Sequence, residues 1–139
     1  EAIAIKDKLP FDSNSFDTVI IFELLEHVGN PDEILKEAKR VARKNILLTV
    51  PDNTGFDKLK QFKLTFEHML ETTHVNFFTK DSLSDLLSKH FNKYNVEEKE
   101  PLSIHGLLPW YFRKPIALCM RLRLIKPLVY FRLYAECFM

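Results

Sequence analysis

Short, almost wholly apolar runs alternate along this chain with segments in which apolar residues recur every three or four positions. Thr18-Val19-Ile20-Ile21-Phe22 and Ile46-Leu47-Leu48-Thr49-Val50 are runs of the first kind. Both are rich in β-branched residues and too short for a buried helix, so each predicts a strand covered on both faces. The first is expected over Phe16 to Glu23, after the turn signal Leu9-Pro10-Phe11-Asp12-Ser13-Asn14-Ser15, and the second over Ile46 to Pro51, where proline stops it. Between them Ile34, Leu35, Ala38, Val41 and Ala42 fall on one helical face, which predicts a helix from 31 to about 44. Its start is well specified. Asn30 can cap it, Pro31 suits the first helical position and Glu33 stands where a capping box wants it, while Arg40, Arg43 and Lys44 complement the dipole at its end. Strand, helix and strand in this order imply two parallel strands joined by a right-handed crossover.

Two more helical stripes follow: Leu59, Phe62, Phe66, Met69 and Leu70, then Leu83, Leu86, Leu87 and Phe91 after a cap at Thr79. Tyr94 to Lys99 and Leu128 to Phe138 read as strands, the second rich in Tyr, Phe and Val, with residues 104–126 as an apolar and basic insertion between them. The class is α/β. Ala2 to Ile5 is a further strand-like segment, so close behind Glu1 that the domain is expected to be entered partway through.

Composition changes this picture little. A chain of 139 residues, 46% hydrophobic with 12 Phe, supplies the core of one domain. Charge matters more: residues 1–103 carry 14 Lys and Arg against 18 Asp and Glu, whereas residues 104–139 carry six against one. The excess of positive charge is therefore confined to the end of the chain. Basic residues this few, embedded in apolar sequence beside an acidic remainder, argue against nucleic acid as a partner. Cys119 and Cys137 have no metal-ligand or redox spacing, which fits a reducing compartment, with cytoplasm as the expected location. Ile116 to Ile125 is too short to span a bilayer and is broken by Arg121 and Arg123.

Candidate chemistry concentrates in Glu23-Leu24-Leu25-Glu26-His27, directly after the first strand. Ligands in open α/β sheets collect at the carboxyl ends of strands, so a strand that runs into two carboxylates and an imidazole marks the floor of a site. If the turn is helical, Glu23, Glu26 and His27 share a face and offer two oxygens and one nitrogen to a hard divalent ion, with His74 as a candidate fourth ligand. Three roles stay open for them: holding a metal, positioning a cofactor or acceptor, and structural hydrogen bonding. A metallohydrolase of the His-x-x-Glu-His kind differs only at the first position, where Glu23 disfavours a zinc site. His68 and His90 sit within helical patterns and receive no role. Asp52-Asn53-Thr54-Gly55 is placed to touch an acceptor, although turn chemistry alone accounts for it.

Leu9-Pro10-Phe11, Ser15 to Ile20, Glu26-His27-Val28, Asn30-Pro31, Glu37 with Arg40-Val41, and Leu47 to Pro51, taken in series from about Leu9 to Leu87, resemble the later two thirds of a class I S-adenosylmethionine-dependent methyltransferase. The resemblance implies a partial Rossmann-like doubly wound sheet closed by an antiparallel C-terminal hairpin. Residues 1–139 would form one partial methyltransferase domain, with 104–126 as a lid or insertion. It implies S-adenosylmethionine as cofactor, bordered by Phe22 and Glu23 with Leu9 near its adenine. Ile5 stands where the family often carries an adenine-binding acid. Glu26, His27 and His74 would position or deprotonate the acceptor. The set Glu23, Glu26, His27 and His74 is also similar to the Mg²⁺ or Mn²⁺ signature of the ubiquinone-biosynthesis and small-RNA O-methyltransferases, in which the ion lowers the pKa of acceptor hydroxyls.

No counterpart of the family's glycine-rich loop is present, since the glycines are Gly29, Gly55 and Gly106. The first strand should then leave an unpaired apolar edge, and the chain by itself is expected to be unstable and to bind the cofactor poorly. The implied activity is methyl transfer to a small-molecule, glycan or lipid-like acceptor, at oxygen before nitrogen or carbon. The alternative is a non-catalytic remnant whose basic, aromatic C-terminal segment docks to a membrane or a protein. Trp110-Tyr111-Phe112-Arg113-Lys114, with Arg121, Arg123 and Lys126, suits a lid, packing on the sheet, or peripheral contact with an anionic membrane.

Overall fold

The computed structural model describes residues 8–55, 59–60, 71–102, 109–127 and 129–139. Along the chain come β1 (Phe16–Phe22), α1 (Pro31–Val41), β2 (Ala42–Pro51), α2 (Lys80–Ser88), β3 (Lys93–Pro101), α3 (Trp110–Arg121) and β4 (Tyr130–Phe138). The strands form one sheet in the order β1-β2-β4-β3. β1 and β2 are parallel, with Ile20 beside Leu47, and β4 runs antiparallel to both β2 and β3. The strand, helix, strand unit and the closing hairpin are thus those expected from the pattern of the sequence.

Helix α1 begins at Pro31, whose missing N–H costs nothing in the first turn, and carries Asp32 and Glu33 there against Lys39 and Arg40 in its last turn. Asn30 forms no side-chain cap, so the capping box expected with Glu33 is not made. The helix also stops at Val41, sooner than predicted, and β2 begins with the next residue. The competing interactions are visible. Ala42 pairs with Phe16, Arg43 and Lys44 both grip Asp17, and the Lys44 carbonyl accepts from Met139 N at 3.0 Å. Strand pairing has taken three residues that the apolar stripe and basic run had assigned to the helix. At α2 the cap at Thr79 is present: its hydroxyl accepts from Ser82 N at 3.2 Å, and Ser82 Oγ accepts from Thr79 N at 2.9 Å.

Alternation along the strands divides the sheet into two unlike faces. Ile21, Ile46, Leu48, Val50, Leu133, Ala135 and Cys137 are buried in one core with Ile34, Leu35 and Ala38 of α1 and Leu83, Leu86 and Leu87 of α2. The opposite face is open. There Ile20 is 59% and Phe22 56% exposed, so the expectation that β1 is buried on both faces is wrong. Among the described residues it is an edge strand of the sheet, with one covered face.

His90, given no role from the sequence, ties the two helices together through a 2.7 Å contact between Nε2 and Asp32 Oδ1, which lowers the Asp32 pKa. Gly55 is there for packing: a Cβ would lie 2.7 Å from Val129 Cγ1. Ala2 to Ile5, His68, and the stripe from Phe62 to Leu70 fall outside the described residues. Leu59 of that stripe is buried beside Val129.

Candidate active site

At the carboxyl end of β1 the chain turns sharply at Glu23, which adopts φ 47°. A left-handed backbone costs a non-glycine residue roughly 1–2 kcal/mol and persists only where its surroundings impose it. Here they do. Glu23 N donates to Thr49 O at 3.1 Å, and Thr49 Oγ1 donates to Glu23 Oε1 at 2.8 Å. Arg132 Nε lies 3.4 Å from Glu23 Oε2. Both carboxylate oxygens of Glu23 are therefore engaged with β2 and β4.

Residues 24–28 form a turn closed by His27 N donating to Leu24 O at 3.0 Å. The helical premise behind the Glu23, Glu26, His27 set fails at Glu23, whose left-handed backbone sends its side chain toward the sheet. The turn is pinned instead from the other side by residues 75–76. Val75 N and Asn76 N donate to Glu26 O at 2.8 and 3.1 Å. Asn76 Nδ2 donates to Leu25 O at 2.9 Å and to Val28 O at 2.6 Å. Sequence reasoning missed Asn76 and Thr49 as supports; an amide in Thr73-His74-Val75-Asn76-Phe77, beside the candidate histidine, was the available signal.

This clamp brings Glu26, His27 and His74 together, with one ligand atom from each within 4.8 Å of the others. The two imidazoles pack edge to face at 4.6 Å between centroids. His27 Nδ1 lies 3.3 Å from Thr73 O, an acceptor only, so Nδ1 is the nitrogen that donates there. Glu26 is 1% exposed, and neither of its carboxylate oxygens has a hydrogen-bond partner among the described residues. Burial pushes its pKa up, and the nearby Glu23 carboxylate adds to this. Buried carboxylates are almost always paired, so one without a partner among the described residues, beside two imidazoles at a strand's carboxyl end, makes this cluster the candidate site.

Phe22 is exposed and lines a groove of about 290 Å³ on the open face with Leu47, Tyr134 and Glu136. Leu9 is not brought to this end of the sheet. Its amide donates to Glu37 Oε2 at 2.9 Å and its carbonyl accepts from Arg40 at 3.1 Å, at the end of α1 beside the start of β1. The length of β1, roughly 20 Å, separates it from Phe22 and Glu23. Asp52 is 1% exposed and is used in a turn, Oδ1 accepting from Thr54 N at 2.7 Å.

A family model described as a methyltransferase domain matches residues 3–50, from before the Leu-Pro-Phe turn to the end of β2. A solved S-adenosylmethionine-dependent methyltransferase from Archaeoglobus fulgidus superposes with a TM-score of 0.57 at 15% identity, over 91% of this chain and 61% of that one. A Thermotoga maritima methyltransferase described as a possible histamine N-methyltransferase gives 0.60 at 18% identity, over 94% and 59%. The YcgJ protein of Bacillus subtilis gives 0.56 at 15%, over 94% and 67%. No curated protein matches the chain. The chain thus spans about three fifths of the length of the first two solved structures. At these identities the likeness establishes fold: the chain has the α/β architecture of part of a Rossmann-like methyltransferase domain.

Proposed function

We propose that this chain forms the acceptor side of an S-adenosylmethionine-dependent methyltransferase acting on a hydroxyl oxygen of a small-molecule, glycan or lipid-like acceptor. The orphan carboxylate of Glu26 carries this reading. When bound, S-adenosylmethionine supplies a methyl group on a sulfonium, and its in-line transfer to oxygen leaves a hydroxyl proton to be taken up. Glu26 suits that task, because burial raises its pKa toward the working range of a general base. His27 and His74 flank it and can orient the acceptor oxygen.

The described residues fit the cofactor on one side only. Phe22 and Glu23 border its expected position, whereas Gly29 stands in open space and Gly55 packs on Val129, so neither offers the bare backbone of a glycine loop. A divalent ion fits better. One carboxylate whose two oxygens have no partner among the described residues and two imidazoles provide a nitrogen-rich set that suits a borderline ion such as Mn²⁺ better than hard Mg²⁺, with Glu26, His27 and His74 holding the ion and Glu23 left to the Thr49 and Arg132 contacts. Such an ion would lower the acceptor pKa.

The test is methyl transfer to a panel of hydroxyl acceptors by the protein as its gene encodes it, with and without chelator. Loss of rate on chelation, restored by Mg²⁺ or Mn²⁺ and accompanied by a metal-induced rise in Tm that His74→Ala abolishes, supports the ion. An unchanged rate limits the cluster to proton transfer and positioning. Full activity in Glu26→Gln overturns the whole assignment.

A further inference from the structure

Helix α3 is built the wrong way round for a helix that only packs on a sheet. Whereas α1 buries four of its residues, α3 buries none. Trp110 is 79% exposed, and Tyr111, Leu118 and Leu122 are each more than half exposed. The exposure is directional. Ile116, Cys119 and Met120 are partly covered, and Met120 lines a cavity of about 380 Å³ with Pro101 and Tyr130 of the hairpin. At 3.6 residues per turn, Tyr111, Pro115, Leu118 and Leu122 form one ridge on the outward side, and Trp110, Lys114 and Arg121 form the ridge beside it. Lysine and arginine that merely snorkel would cover apolar surface and keep it from water. Here aromatic, aliphatic and cationic groups face outward together.

Charge identifies what they meet. Residues 109–127 contain five Lys and Arg and no Asp or Glu, in a chain whose first 103 residues are net acidic. Tryptophan, tyrosine and basic residues on one face are the groups that settle at a lipid headgroup boundary. The helix has 12 residues, and no described helix is long and apolar enough to cross a membrane, so it can only lie along one. We propose that α3 docks this protein flat on an anionic bilayer, with Trp110, Tyr111, Leu118 and Leu122 at the acyl boundary and Lys114 and Arg121 on the lipid phosphates. The proposal stands independently of the methyl-transfer chemistry.

Trp110 is the single tryptophan of residues 1–139, so the emission of this chain reports on this face. Phosphatidylglycerol vesicles should shift that emission to the blue, brominated acyl chains should quench it, and pure phosphatidylcholine vesicles should do neither. Lys114→Glu with Arg121→Glu should weaken the partitioning roughly tenfold or more, with far-UV circular dichroism and Tm unchanged. Leu118→Ser should weaken it while keeping the charge dependence. An unmoved spectrum with anionic vesicles overturns the proposal, as does an equal response to neutral ones. A blue shift that depends on protein concentration without lipid assigns the face to a second copy, and one that appears only with S-adenosylhomocysteine and acceptor assigns it to a lid; either result also overturns the proposal.

Discussion

Glu37 and Glu26 sit at opposite ends of the β1 and α1 unit, and each lies where a distant loop is fastened to it. Glu37 is fully engaged. Oε1 accepts from Arg40 Nε at 2.9 Å, and Oε2 accepts from Arg40 Nη2 at 2.8 Å and from Leu9 N at 2.9 Å. Arg40 in turn donates to the Leu9 and Phe11 carbonyls, so the pair holds the Leu-Pro-Phe turn against the helix. The Arg40 guanidinium and the Leu9 amide pull the Glu37 pKa down to about 2. Glu26 is more deeply buried, yet its oxygens have no partner among the described residues, and its pKa moves up. Its loop is held through its backbone carbonyl, leaving the side chain idle. Two carboxylates eleven positions apart therefore part company: one is satisfied and holds a turn in place, and the other has no partner among the described residues, which is why the proposed chemistry rests on it.

The sharpest way to break this contrast is Glu26→Leu. Removing the proposed proton acceptor should cost methyl transfer on the order of 10²–10⁴-fold. Because a buried group with no partner is itself destabilising, the same change should raise unfolding free energy by about 1–3 kcal/mol. Rate and denaturant unfolding are measured on the same variant. A loss of stability comparable to an ordinary core truncation, about 2–5 kcal/mol, would place Glu26 with the structural carboxylates.

Next in size is Glu37→Gln. The amide keeps one acceptor but turns an N–H₂ toward donors that the carboxylate had satisfied, freeing the Leu9 to Phe11 turn. A drop of several degrees in Tm is expected, with divalent-ion binding at Glu26, His27 and His74 untouched. An unaltered Tm combined with weakened ion binding would reverse the roles assigned to the two acids.

How far the sequence reveals these roles follows from the range of the interactions. The β1, α1 and β2 unit was legible because apolar runs and helical periodicity are local signals, and the convergence of Glu26 with His27 was legible because the residues are adjacent. His74 was found as a candidate, but its approach depends on Val75 and Asn76 gripping the Glu26 turn, contacts about 50 residues apart that no local pattern encodes. Glu23 was misplaced because periodicity assumes a helical backbone, and its positive φ violates that assumption. The exposed face of β1 was hidden for a related reason. An apolar run shows what a strand can bury, while its neighbours decide what it does bury.

The smallest effect, and the most direct comparison of the two acids, lies in pH. The Glu37 pKa is about 2 when folded, against an ordinary 4.5, so the unfolded chain binds its proton more readily. Its contribution is complete above about pH 4.5 and is lost as pH falls through 2. Glu26 has the opposite sign. Its folded pKa is raised, so the folded protein holds that proton more tightly; the resulting stabilisation is present below 4.5 and fades as pH rises through the folded value. Urea midpoints measured from acid to neutral pH, with m unchanged, should therefore show a rising acid limb that Glu37→Gln flattens and a falling limb above pH 4.5 that Glu26→Gln flattens. If both variants trace the wild-type curve, neither carboxylate experiences the environment described for it, and the distinction between them disappears.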